Sequence, residues 1–244
     1  EWMRTLGASD QPVDMSAYDF GAGAMLEAWN RELRAYRGQV FVSELGVGGM
    51  ADLNAVVAGF AGHENVRDAR EARAFRDSLH AGFAARGLGR VFGTVSALIQ
   101  ASQHAQAAGL TRQVEALLAN RRVSGYCVTS LNDVAWEFHA GLLDHWRNPK
   151  PAYHAVQRLH RPHCLILKAE APVVACGEPV RIALTLVSSE PLPGAAQVAV
   201  TVTGPRGAAG PPALFPAPAG VGVRELGTVT VETGAEPGEC SRTR

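Results

Sequence analysis

The chain has 244 residues, 47% of them hydrophobic and 19% charged, an ordinary globular composition that excludes a mainly disordered protein. Lys plus Arg and Asp plus Glu both total 23, so the formal net charge is zero and no basic surplus is available to hold a nucleic acid. No run of about eighteen apolar residues occurs, so neither a membrane nor a nucleic acid is expected as a partner.

In chain order, Val13-Asp14-Met15, Gln39-Val40-Phe41-Val42 and Tyr126-Cys127-Val128-Thr129 are apolar runs short enough for buried parallel strands. Between the first two, Leu26, Trp29, Leu33 and Tyr36 recur at steps of three and four, on one face of an amphipathic helix. Ala72, Phe75, Leu79 and Phe83 repeat the pattern after the second strand. A further helix is expected over Val91 to Ala108, then a short one over Thr111 to Asn120 that buries Val114, Leu117 and Leu118. A last helix falls near Pro151 to Leu159. The order β-α-β-α-α-α-β-α predicts a parallel sheet wrapped by helices over residues 1–161.

From residue 162 to 244 the helical period stops and Pro and Gly become frequent. Ile182, Leu184 and Leu186 alternate with Arg181, Ala183 and Thr185; Val198, Val200 and Val202 alternate with Ala199 and Thr201; Val229 and Val231 alternate with Thr228 and Thr230. With turn-rich segments at Glu190 to Gly194 and Gly204 to Pro212, this reads as an immunoglobulin-like β-sandwich. About four or five strands are countable against the seven or so of a full sandwich, so a truncated module is expected. Glu1 is not an initiator Met and the last residues are a polar tail, which suggests a fragment. The cysteines Cys127, Cys164, Cys176 and Cys240 lack C-x-x-C spacing, which favours a reducing, cytoplasmic compartment over a zinc or redox site and leaves the compartment otherwise open.

In a parallel (β/α) barrel, functional side chains sit just past the C-terminal ends of the strands. Glu44 holds that place after the second strand, Asn132, Asp133 and Trp136 after the third, and Ser16 to Tyr18 after the first. A carboxylate can attack an anomeric carbon, amide and hydroxyl groups can bind sugar hydroxyls, and an aromatic face can pack on a sugar ring.

Phe41-Val42-Ser43-Glu44-Leu45-Gly46-Val47-Gly48-Gly49 resembles the Ser-Glu-aromatic-Gly segment that carries the nucleophile on strand seven of glycoside hydrolase family 2, which contains β-galactosidases, β-glucuronidases and β-mannosidases. Gly125 to Glu137 resembles strand eight of that family, and the likeness runs on through Gly141 to Asp144 and Arg147 to Tyr153. The resemblance implies the C-terminal portion of a TIM (β/α)8 barrel, strands six to eight, followed by the β-sandwich. It also implies a retaining exo-β-glycosidase with Glu44 as nucleophile, Tyr18 hydrogen-bonded to it, a β-linked glycoside as substrate and no cofactor or metal. The family's acid/base Glu follows an Asn at the end of strand four, upstream of Glu1. Four positions depart from the family: Ser16 stands where it often has His, Leu45 where it usually has an aromatic residue, and Thr129-Ser130 where many members have Trp-Gln or Thr-Glu.

Each candidate has a plainer alternative. Tyr18 and Trp136 could be packing residues, and Asp133 a helix cap or a structural carboxylate beneath the site. Glu137 and His139 flank the same loop and face either substrate or solvent. His154, His160, His163 and Cys164 fit no standard metal spacing and read as polar packing. Asn148-Pro149-Lys150 matches the Asn-x-Lys signature of β-glucuronidases but occupies the family's Arg-x-Pro-Lys position before the last helix, and reads as structural. The rival to the enzyme is a non-catalytic carbohydrate-binding or scaffold protein on the same fold, favoured by Ser16 and Leu45.

Overall fold

The computed structural model describes residues 13–18, 38–134, 137–171, 173–204, 207–208 and 210–233, with 13–18, 204 and 207–208 described by their backbone alone. The chain divides into two compact units, Glu1–Leu159 and His160–Arg244. The helix expected around Leu26 to Tyr36 lies outside the described residues.

In the first unit β1 (Val13–Tyr18), β2 (Val40–Gly46) and β3 (Val123–Val128) form a parallel sheet in the order β1-β2-β3. Val40, Val42 and Leu45 of β2 are fully buried, each contributing about 1.5–3 kcal/mol of burial free energy. Their face of the sheet turns toward helices: Val128, paired with Leu45, packs with Leu110 and Val156. The opposite face is exposed, with Phe41 at 42%. The sheet is therefore covered on one side among the described residues, whereas buried parallel strands were expected.

Four helices join β2 to β3: α1 (Leu53–Gly59), α2 (Arg67–Ala85), α3 (Gly89–Phe92) and α4 (Val95–Leu118); α5 (Pro151–Leu159) follows β3. The Asp52 carboxylate caps α1 by accepting from Asn54 and Ala55 N–H, and Thr94 Oγ1 caps α4 by accepting from Ala97 N–H. The sequence separates two helices around Gly109, but α4 runs through it unbroken. A Cβ at Gly109 would lie 3.0 Å from both Val47 γ-carbons, so the glycine admits Val47 against the helix. Packing there outweighs the roughly 1 kcal/mol helix penalty of glycine. The helix also starts later than expected, since Val91 is 75% exposed and belongs to α3. On α2, Ala72 is buried and Leu79 packs beside it, but Phe75 is largely exposed.

The second unit is built from strands. β4 (His163–Ala169), β5 (Pro179–Ser188) and β10 (Gly222–Glu232) form an antiparallel sheet in the order β10-β5-β4. β6 (Ala196–Val200) pairs with β9 (Ala213–Ala217), and the two-residue β7 (Thr203–Gly204) and β8 (Gly207–Ala208) pair with each other. Leu184 and Leu186 are buried on β5 and Cys164 and Ile166 on β4, as period two requires. The described residues thus hold seven strands here, more than the four or five countable in the sequence, because β4, β9 and the short β7 and β8 add to the alternating runs. No described helix in either unit is long and apolar enough to cross a membrane.

Candidate active site

Glu44 owes its orientation to an irregularity in β2. Met15 pairs with Val42, but the next residue of β1, Ser16, pairs with Glu44. On the other side Val42 pairs with Tyr126 and Leu45 with Val128. Relative to both neighbours β2 therefore carries one extra residue at Ser43-Glu44, a β-bulge. Strict alternation from buried Val40 and Val42 would send Glu44 to the helix-covered face, where an ionised carboxylate is costly. The extra residue gives that buried place to Leu45 and leaves Glu44 exposed. Cys127, between Tyr126 and Val128 on the adjacent strand, is exposed as well. The ring of Phe41 lies over Gly125, where a Cβ would come within 2.9 Å of it.

The segment that follows Glu44 is held at Leu45, at Gly46 and from Gly49 to Ala51. Thr129 N–H donates to Leu45 O at 2.8 Å, tying the ends of β2 and β3 together. Gln113 Nε2 donates to Gly46 O, Gln103 Nε2 donates to Met50 O at 2.9 Å, and Met50 N–H donates to Ser102 Oγ at 3.1 Å. Gly49 and Ala51 N–H donate to His139 O and Phe138 O, which joins the loop after β2 to the loop after β3. Gln106, fully buried on α4, reaches the second loop through His139 O and Gly141 O. These glutamines share one face of α4, and sequence periodicity passes them over because apolar residues alone are counted as core.

Asp133 is fully buried. One of its carboxylate oxygens accepts Gly141 N–H at 2.8 Å, and Lys150 Nζ lies 3.2 and 3.3 Å from the two oxygens. The same ammonium donates to Gly49 O at 2.9 Å. Burial pushes the Asp133 carboxyl above its ordinary range while the Lys150 charge pulls it back; burial likewise lowers Lys150 against the attraction of Asp133. Lys150 is thus the residue of this centre that the sequence marks only as structural, and its partner could not be read from spacing.

Asn132 is half-buried, and its side-chain amide donates to Asp133 O at 3.1 Å. Tyr18 is the last residue of β1, opposite Gly46, so its backbone stands at the same end of the sheet as Glu44. Trp136 lies outside the described residues. Glu137 and His139 are exposed beside this loop. His163 contacts Ser188 Oγ at 3.3 Å between β4 and β5, and His154 and His160 are exposed.

No protein-family model matches the chain, and no curated protein matches it in sequence. Among solved structures, native xylanase 10B from Thermotoga maritima gives a TM-score of 0.34 at 15% identity, over 59% of this chain and 34% of that one, too weak a likeness to bear on the fold. The β-D-mannosidase from Dictyoglomus thermophilum gives a TM-score of 0.54 at 18% identity, over 92% of this chain. The chain spans 27% of the length of that protein. The chain is therefore a fold of mixed helices and sheets with structural similarity to that β-D-mannosidase.

Proposed function

We propose that this chain supplies the last three strands of a (β/α)8 barrel and an immunoglobulin-like β-sandwich to a retaining exo-β-glycosidase, with Glu44 as the nucleophile. The observation that carries the reading is the bulge in β2, which turns a carboxylate out of the helix-covered face at the C-terminal end of a parallel strand. The exposed face of the sheet, with Phe41 and Cys127, would then be barrel interior, covered by strands one to five. The Ser-Glu-Leu-Gly context and the fold likeness to a mannosidase point the same way.

In this reading a Glu44 oxygen attacks the anomeric carbon as the glycosidic C–O bond breaks, and the leaving oxygen takes a proton from a carboxylic acid supplied by an earlier barrel strand. Water, deprotonated by the same group, then displaces Glu44 and restores the original anomeric configuration. The two carboxyl groups need to stand about 5–5.5 Å apart. Tyr18, Asn132 and Trp136 keep their assignment to the sugar and to the nucleophile's hydrogen bonds, whereas Asp133, with both oxygens engaged, supports the loops.

The test is trapping. The complete protein that carries this chain is incubated with activated 2-deoxy-2-fluoro β-mannoside, β-galactoside and β-glucoside, and the peptides are sequenced by mass spectrometry. A glycosyl ester on Glu44 is the expected result. An ester on another carboxylate, or none with any of the three, removes Glu44 from the role.

A further inference from the structure

We infer that Lys150, held by Asp133, is a positioning residue that fixes the segment after Glu44 and through it the attack geometry; the inference rests on the assignment of Glu44 as nucleophile. The side chain of Lys150 is 2% exposed and that of Asp133 is not exposed at all. Its ammonium binds two things, the Asp133 carboxylate and the carbonyl of Gly49, five residues past Glu44. Asp133 in turn accepts Gly141 N–H from the loop after β3. One ion pair thus bolts together the loops that follow both strands flanking the site.

Stability alone is a poor reason for such a pair. Two charges removed from water recover little net free energy, and apolar replacements of similar volume are often neutral or stabilising. An apolar side chain cannot hold a carbonyl in direction, however, and Gly49 is a place where direction matters. Its N–H is bound to His139 O, its carbonyl to Lys150, and a Cβ on it would fall 2.5 Å from Gln106 Oε1. Gly141 is equally confined, with the Asp133 backbone nitrogen 2.2 Å from where its Cβ would be. With both loops confined, Lys150 sets where Gly49 sits, and the chain from Gly49 back to Leu45 is short, with the Leu45 and Gly46 carbonyls held by Thr129 N–H and Gln113 Nε2.

The experiment compares the complete wild-type protein with Lys150→Met and with the double variant Asp133→Asn/Lys150→Met. The double variant leaves no orphan charge, so it keeps the fold even if the single variant does not. The rate of Glu44 labelling by the 2-fluoro glycoside and the affinity for the unreacted reagent are measured separately, with amide exchange at Gly49. In the double variant the labelling rate is expected to fall about 10- to 100-fold with affinity changed less than about threefold, as for a misplaced reacting group. Exchange at Gly49 should quicken while the melting temperature holds. A double variant that labels at the wild-type rate overturns the positioning role and leaves the nucleophile assignment standing. Wild-type protein unlabelled at Glu44 overturns the nucleophile assignment, and the positioning role with it.

Discussion

Both units contain strands with a residue too many, β3 among them at Ser124, and the bulges in β10 and β2 are solved differently. In β10 the register slips between Glu225 and Gly227, and the chain recovers through a glycine at φ 150° lying against the ring of Phe215. In β2 the slip falls at Ser43-Glu44, where no glycine is used. At the first bulge the absence of a side chain on Gly227 admits the Phe215 ring of β9. The second exchanges the places of a carboxylate and a leucine, and the gain lies on the exposed face. In β2 the bulge turns a polar residue outward and gives a large apolar residue the buried place; in β10 it is built on glycine.

If the bulge hands the buried place to Leu45, Leu45→Ala should cost about 2–5 kcal/mol in urea denaturation, while Glu44→Gln should stay within about 0.5 kcal/mol. An unbroken alternation would reverse the two results. At the other bulge, Gly227→Ala should cost about 1–3 kcal/mol, because the side chain meets both an unfavourable φ and a Phe215 ring carbon 2.8 Å away. Adding Phe215→Leu should recover the steric part of that loss and leave the backbone part.

The smallest effect concerns reactivity. Cys127 is exposed on the same face of the sheet as Phe41. A thiol reagent should therefore modify it readily in the 244-residue chain. If that face is barrel interior, the same thiol should resist modification in the complete protein. Equal rates in both would argue that the face stays open.

Legible in the sequence alone were the three strands of the first unit, β5, β6 and β10 of the second, and the helices α2 and α5, because short apolar runs and period two or 3.6 are properties of the chain. It also marked Glu44 through its Ser-Glu-Leu-Gly context and its place past an apolar run. It did not reveal which way Glu44 faces, since alternation from Val40 points it inward and only the register with β1 and β3 shows the extra residue. Nor could it show that α4 passes through Gly109, because the Val47 contact that makes a glycine fit there is 62 residues away along the chain. The Asp133–Lys150 pair has the same origin. Each residue is legible singly as a loop carboxylate or a structural lysine, but burial and their bonds to Gly141 and Gly49 exist only once two strand ends and α4 have packed together. Local chemistry fixes what a residue can do, and tertiary packing decides whether it is dry, paired and aimed.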